Sequence, residues 1–120
     1  MSEVQIKHAD ETKIEMMPWG RLLWKASRAL GNSLTMTVGI CEINPGQANP
    51  RHIHPNCDEI LHVLQGTIAH SYGKDGEVVM SVGDVITVPP NVMHNARNIG
   101  EDIAVLAISF SNAERQTQGE

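Results

Sequence analysis

The chain has 120 residues and a formal net charge of −5, and its 9 Lys and Arg residues are scattered rather than clustered. This length predicts a single domain over residues 1–120, because domains are most often about 100–150 residues long. An acidic chain without a basic patch is not expected to bind nucleic acid or an anionic membrane, since both are bound through clustered Lys and Arg.

The N-terminal residues and the cysteine count bear on the compartment. The opening stretch, MSEVQIKHADETK, lacks the apolar core of a signal peptide. No stretch approaches the ~20 apolar residues that a membrane-spanning helix needs. Cys41 and Cys57 are too few for a disulfide framework, so free thiols are expected. These features predict a cytoplasmic protein.

Turn residues divide the chain into short segments that have the pattern of β-strands. Glycine and proline recur about every eight to twelve residues, a spacing typical of sandwiches and barrels. The segment LTMTVGICEI (34–43) alternates apolar with small or polar residues, which predicts a half-buried strand. Five further strands are predicted in EILHVLQG, TIAHSYG, EVVMSV, GDVITV and IAVLAISFS, with a hairpin turn at GKDG. Only the tail, NAERQTQGE, favours a helix or disorder, so the predicted fold class is all-β.

Histidine and glutamate are concentrated in PGQANPRHIHPNCDEILHVLQG (45–66). His52 and His54 are two residues apart, so on a strand their side chains project from the same face. The turn PNCD can bring Glu59 beside them, and His94 after VPPNVM is the best-placed fourth donor. A lone histidine is ordinarily an exposed or hydrogen-bonded ring. Together, however, these imidazole and carboxylate donors suit Fe, Mn, Ni, Co, Cu or Zn and leave positions open for a ligand.

The same residues fall at the spacings of two motifs of a known family. Residues 46–66 read Gly, five residues, His-x-His, four residues, Glu, six residues, Gly. Residues 83–98 read Gly, five residues, Pro-x-Asn, two residues, His, three residues, Asn, and Asn91 stands where the family motif has glycine. Asparagine tolerates the left-handed conformation of such a turn. The sequence therefore resembles a single small cupin domain, firmly so from Gly46 to Asn98.

This resemblance implies a fold, a ligand set and an assembly. The fold would be the double-stranded β-helix, a two-sheet jelly roll, with one divalent metal ion inside the barrel on His52, His54, Glu59 and His94. Metal affinity should fall as pH drops through the histidine range, because the ligands must be deprotonated. Small cupins form homodimers through the outer sheet and N-terminal strand, which makes Trp19–Trp24 a candidate contact. The alternative is that both tryptophans pack over their own barrel mouth.

Several other residues carry weaker indications. His70 lies on the strand face that looks into the barrel in cupins, so it is either an acid/base beside the metal or a core-edge histidine with one backbone hydrogen bond. His62 is expected on the opposite strand face from the ligands, at the surface or an interface. Cys57 either approaches the metal or is a buried inert thiol. Pocket or core positions are expected for Met36, Met93 and Phe110, and a surface position for His8.

The expected function is that of a metal-dependent enzyme acting on a small oxygenated substrate, such as a sugar, a sugar acid or a keto acid. The metal would polarise a carbonyl for isomerisation, elimination or decarboxylation, and Glu59 or His70 would move the proton. One alternative is an iron or manganese dioxygenase, and another is a non-enzymatic ligand-binding or sensor cupin. A large planar ligand is not expected, because the aromatic residues are few.

Overall fold

Short antiparallel strands make up most of the chain. The structure, a computed structural model, describes residues 3–119. A 3-10 helix at Ala9–Glu11 precedes the strands. The strands are β1 (Lys13–Met17), β2 (Gly20–Ala26), β3 (Thr37–Ile43), β4 (His52–Ile53), β5 (Glu59–Gln65), β6 (Ile68–Tyr72), β7 (Gly76–Met80), β8 (Val85–Val88), β9 (His94–Asn98), β10 (Ala104–Phe110) and β11 (Gln118–Gly119). Among residues 3–119, no helix is long and apolar enough to cross a membrane.

The strand order identifies the architecture. One sheet has the order β1-β2-β3-β10-β5-β8, and the other has the order β11-β4-β9-β6-β7. β10 pairs with β3 and β5, and β9 pairs with β4 and β6, so the chain crosses repeatedly between the sheets. This arrangement is a double-sheet jelly roll. The predicted all-β class and the predicted fold are therefore confirmed.

The core lies between the sheets and is built from the inward face of each strand. On β3 the alternation of burial has the predicted period of two, although the strand begins at Thr37 rather than at Leu34. Val38 and Ile40 face outward and are half-buried, whereas the smaller Thr37, Gly39 and Cys41 face inward. The reason is visible at Gly39, where an added Cβ would lie 2.7 Å from Cε3 of Trp24. The indole ring therefore leaves no room for a larger inward residue.

Two turns that the sequence indicated are present. The segment GKDG closes the hairpin between β6 and β7, with Tyr72 paired to Gly76. Asn91 has a φ of 65°, which is the left-handed conformation expected where the family motif has glycine. Its backbone N–H donates to the carbonyl of His54 at 3.2 Å, so this turn is fastened beside the segment that carries two of the candidate ligands.

The tail differs from its prediction. Residues 111–119, here called the C-terminal strap, fold back so that β11 pairs with β4. The side chain of Asn56 fastens the strap, because it donates to the carbonyl of Glu114 and accepts from the N–H of Gln116. The prediction of helix or disorder is therefore wrong for residues 112–119, and Glu120 lies outside the described residues. The bonds that order this segment come from residues far away in the chain, so local pattern does not reveal them.

Gly20→Ala is expected to destabilise the fold, because the added methyl carbon would lie 1.9 Å from the carbonyl oxygen of Glu42 on β3. Relief requires β2 and β3 to separate, which should lower the free energy of unfolding by about 2 kcal/mol or more. Thermal unfolding followed by circular dichroism measures the effect. Gly119→Ala is the matched control, since nothing lies within 4 Å of its added carbon. Equal midpoints for the two variants would contradict this packing.

Candidate metal centre

Strands from both sheets place the four predicted ligands together. His52 on β4 is paired directly with His94 at the start of β9. His54 follows β4, and Glu59 begins β5 in the facing sheet. Each side chain offers one ligand atom, and these four atoms all lie within 4.8 Å of one another. The folded chain thus brings together the whole set that the sequence indicated.

The cluster is largely removed from solvent. His54, Glu59 and His94 are 3%, 5% and 2% exposed, whereas His52 is half-buried. Oε1 of Glu59 lies 2.9 Å from Nε2 of His94 and 3.1 Å from Nε2 of His54. The ring centroid of His52 lies 4.3 Å from that of His94 and 4.8 Å from that of His54. One carboxylate oxygen and three imidazole rings therefore surround one small volume.

Backbone carbonyls fix the orientation of all three rings. Each Nδ1 lies at hydrogen-bond distance from a carbonyl oxygen, which can only accept, so each Nδ1 carries the hydrogen. The pairs are His52 with Pro50 at 2.7 Å, His54 with Gln116 at 2.9 Å and His94 with Val92 at 2.8 Å. In a neutral ring Nε2 is then left with its lone pair, which is the form that binds a metal.

Glu59 and His94 behave as an ion pair. Burial raises the pKa of Glu59, but its close contacts with the rings of His54 and His94 outweigh this effect and lower it to about 2. Burial likewise opposes the charged form of His94, yet its contact with Glu59 leaves the pKa of His94 raised. At His52 the hydrogen bond to the Pro50 carbonyl and the charge of Glu59 do not offset burial, which lowers the pKa of this ring to about 4. The carboxylate is therefore ionised at neutral pH and His52 is neutral.

One buried atom of the cluster has no hydrogen-bond partner within residues 3–119. Nε2 of His54 is fully buried and makes no hydrogen bond, although it lies 3.1 Å from Oε1 of Glu59. Since Nδ1 of this ring already donates, a neutral His54 faces the carboxylate with a lone pair, which is unfavourable. A cation placed among the four ligand atoms removes this conflict. The donor set of three imidazoles and one carboxylate therefore fits a transition-metal ion.

The cluster opens into a cavity of about 540 Å³. This volume lies in the range of small-molecule sites, and the walls are mostly apolar, as such sites require. Both Trp19 and Trp24 line it, so the tryptophans pack at their own barrel, as the alternative interpretation held. Other polar groups reach it from Glu15, Asn49, Asn95, Arg115 and Thr117. Formation of a homodimer stays a prediction.

His70 lies inside the barrel beside the cluster. It is 1% exposed and lines the cavity, and its ring is nearly parallel to that of His94 at a centroid distance of 5.8 Å. Burial lowers the pKa of His70 to about 4, so the ring is neutral at pH 7. Its Nδ1 is buried and has no hydrogen-bond partner among the described residues. A polar atom in this position is available to a ligand in the cavity.

The structure also gives the positions of the other residues for which the sequence carried an expectation. His62 is half-buried on the outer face of β5, opposite the inward Glu59, as expected. Cys57 is buried and free, and it is not among the clustered ligand atoms in the described chain. Burial raises the pKa of its thiol, in keeping with an inert cysteine. Of the candidate pocket or core residues, Phe110 lines the cavity, whereas Met36 is exposed and Met93 lines a separate surface groove. His8 is exposed, as expected.

Sequence reasoning missed the contribution of the strap. Arg115 and Thr117 line the cavity, and the carbonyl of Gln116 orients His54. No local pattern marks these residues, because they reach the site only through the pairing of β11 with β4. Two asparagines were also missed. Asn49 and Asn95 line the cavity, and the side-chain amide of Asn95 donates to the carbonyl of Asn49, which ties β9 to the loop before β4.

The fold is a jelly-roll barrel with an internal cavity, and three histidines and one glutamate in its wall form a candidate metal centre. Comparison with known proteins then gives the family. The protein-family model described as "Cupin domain" matches residues 39–110, which is more than half of the chain. The protein therefore belongs to the cupin family, and the predicted resemblance is confirmed.

Individual relatives are similar over part of their length. Germin-like protein 5-1 of Oryza sativa subsp. japonica is 31% identical over 72% of this chain and 41% of its own. Oxalate oxidase 1 of Hordeum vulgare is 30% identical over 68% and 44%. An auxin-binding protein of Prunus persica is 31% identical over 68% and 41%. The chain thus spans less than half the length of these curated relatives.

Solved structures show the same fold. The formate complex of Lactobacillus farciminis oxalate decarboxylase superposes with a TM-score of 0.85 over 93% of this chain and 34% of that protein, at 22% identity. Oxalate oxidase in complex with glycolate gives a TM-score of 0.74 over 82% of this chain and 53% of that protein, at 23% identity. At these identities the likeness establishes the jelly roll.

The metal-free protein is expected to lose stability as pH falls from 7 to 4. His52 and His70 have folded-state pKa values of about 4, below the ordinary value of 6.5. Between these values the unfolded chain binds more protons, so the free energy of unfolding falls as pH falls, on the order of 2–3 kcal/mol for the buried His70. His94 has the opposite effect on stability. Because its pKa is raised in the folded state, it stabilises the fold at low pH, and this stabilisation is lost only as pH rises through its folded-state pKa.

Urea unfolding in the presence of a chelator, at pH values from 7 to 4, measures this dependence. His70→Leu removes one neutral buried imidazole and should flatten the curve, whereas His8→Leu, at an exposed position, should leave it unchanged. A His70→Leu curve as steep as that of the wild type would show that His70 is not responsible.

Proposed function

We propose that the protein is a metal-dependent enzyme that acts on a small oxygenated substrate such as a sugar, a sugar acid or a keto acid. The observation that carries this proposal is the geometry of the cluster. Three imidazoles, each held by a carbonyl at Nδ1, and one ionised carboxylate face a common point at the end of an apolar cavity. Such a site is preorganised for a cation and leaves space for a ligand.

His52, His54, Glu59 and His94 would hold the ion, with Fe, Mn, Ni, Co, Cu and Zn as the candidates that these donors suit. A divalent ion held there supplies Lewis acidity toward a substrate carbonyl or carboxylate oxygen. The fixed rings hold their Nε2 atoms in position before binding, so little rearrangement is needed. The apolar walls keep water away from the bound substrate, which strengthens each polar contact.

His70 is the better placed of the two proposed proton carriers. Glu59 is occupied by His54 and His94, and its lowered pKa makes its carboxylate a weak base. His70 is neutral at pH 7 and its Nδ1 is unpartnered within the described chain, so this atom can accept a proton from a substrate in the cavity. Its position beside His94 keeps it near the site of the metal.

The relatives support a small acid as the substrate, since their names include oxalate oxidase and oxalate decarboxylase, and solved complexes hold glycolate or formate. The second candidate is an iron or manganese dioxygenase, which the same donor set accommodates and which would consume oxygen. The third is a non-enzymatic binding barrel, for which the auxin-binding relative is the supporting observation.

Elemental analysis of untagged protein purified without chelator tests the metal site. The wild type is expected to retain close to one transition-metal ion per chain, and the double variant His52→Ala/His94→Ala is expected to lose it, because half of the donor set is removed. His62→Ala is the matched control on the outer face of β5 and should retain the ion. A wild type that is metal-free and cannot be loaded would overturn the metal-dependent proposal.

His70→Gln tests the proton carrier. Loss of an acid/base group should lower turnover by about 10²–10⁴-fold while leaving metal content unchanged. The assay follows carbon dioxide release, oxygen uptake and product formation with oxalate, glycolate, 2-oxo acids and sugar acids. His62→Gln serves as the control. Oxygen uptake coupled to turnover would favour the dioxygenase, and an active enzyme unaffected by His70→Gln would remove His70 from the mechanism.

A further inference from the structure

A single guanidinium group lies in the wall of the cavity and has no role in the cluster. Arg115, in the C-terminal strap, lines the same cavity as the four candidate ligands. Its guanidinium carbon lies 4.3 Å from the ring centroid of Trp24 and 5.1 Å from that of Phe110. The group therefore rests against two aromatic rings, which hold it in place by cation–π contact.

The carboxylates of Glu59 and Glu15 favour the charge of Arg115 from a distance, but neither forms an ion pair with it. Arg21, Arg28 and Arg97 form ion pairs with Glu42, Glu114 and Glu77, respectively. Within residues 3–119 no carboxylate lies at ion-pair distance from Arg115, which donates one hydrogen bond to the hydroxyl of Thr117. The nearby carboxylate of Glu15 accepts instead from the indole Nε1 of Trp24 at 3.2 Å.

Such a group is costly without an anion. Burial lowers the pKa of Arg115, which reflects the loss of water around its charge. Guanidinium remains charged in proteins, so the cost is relieved by an acceptor and not by loss of a proton. Stacking on rings occupies the face of a guanidinium and leaves its N–H edge, which matches the two oxygens of a carboxylate.

The position of Arg115 relative to the cluster limits the length of a carboxylate ligand that contacts both. The ring of Phe110 contacts both groups, since it lies 4.9 Å from the ring of His54 and 5.1 Å from the guanidinium carbon. The guanidinium carbon therefore lies no more than about 10 Å from the ring centroid of His54. A molecule with a few carbon atoms can reach both at once.

We propose that Arg115 binds a carboxylate of a small dicarboxylic or oxo-dicarboxylic acid whose other end lies at the cluster of His52, His54, Glu59 and His94. The inference rests on the proposed function and narrows its substrate class from small oxygenated molecules to diacids. Arg115 acts as a specificity-determining residue, because a monoacid of the same length leaves the half-buried cation without a carboxylate partner.

Two acids that differ in one group provide the test. 2-Oxoglutarate and 2-oxopentanoate share the oxo-acid end and the chain length, but only 2-oxoglutarate has a distal carboxylate. Each is titrated calorimetrically into wild-type protein loaded with Zn²⁺, which has no redox chemistry, and into metal-free protein. The variants are Arg115→Gln, Arg115→Lys and the control Arg97→Gln, which changes an exposed arginine on β9.

The wild type is expected to bind 2-oxoglutarate about 10–100-fold more tightly than 2-oxopentanoate, as one charge-assisted contact of this kind provides. Arg115→Gln should abolish the preference, Arg115→Lys should retain part of it and Arg97→Gln should retain all of it. A structural role alone would lower the unfolding midpoint of Arg115→Gln and weaken both acids equally. A lower midpoint with equal weakening of both acids would overturn the proposal. So would a wild type that binds the two acids equally tightly, or that binds neither.

Zinc retention separates this inference from the proposed function. If the wild type retains zinc but shows no preference for the diacid, the carboxylate site is wrong and the metal site stands. If the protein retains no zinc yet still prefers 2-oxoglutarate through Arg115, the carboxylate site stands and the metal-dependent function is wrong.

Discussion

The buried carboxylate of Glu59 joins the two sheets of the barrel, and the site depends on how its charge is compensated. Removing a carboxylate from water costs several kcal/mol unless close partners replace the lost hydration. Here Nε2 of His54 and Nε2 of His94 approach the same oxygen from the facing sheet. The pairing of His52 with His94 across β4 and β9 brings the third ring to the same point. A cation among these atoms completes the compensation that the protein alone leaves partial at His54.

The C-terminal strap connects this electrostatic centre to the cavity. The carbonyl of Gln116 holds Nδ1 of His54, so the strap fixes the orientation of one candidate ligand. Arg115, one residue earlier, extends into the cavity against Trp24 and Phe110. A few residues of the strap thus orient a candidate metal ligand and place a cation in the wall of the cavity. Their placement depends on β11 and on the amide of Asn56, both of which are contacts between distant parts of the chain.

The cavity has opposite chemical character at its two poles. At one pole the ionised Glu59 and three imidazoles favour a metal ion, and near the other Arg115 favours an anion. Apolar walls separate them, and in such surroundings each charged contact is stronger than in water. His70 lies beside His94, buried and neutral, with an unpartnered nitrogen in the described structure. The proposed ligand, with carboxylate oxygens at both ends, would match this arrangement.

The sequence by itself determined the fold class and the candidate ligands, because both follow from local spacing. Alternation along strands and turns at glycine and proline indicated an all-β fold, and the resemblance of the two motifs from Gly46 to Asn98 to those of cupins implied a jelly roll with His52, His54, Glu59 and His94 at one point. Only the tertiary structure decided what surrounds that point. Arg115 and the carbonyl that orients His54 come from a tail whose composition favours a helix or disorder. Its order arises from hydrogen bonds to β4 and Asn56, and long-range bonds of this kind leave no periodic trace in a single sequence.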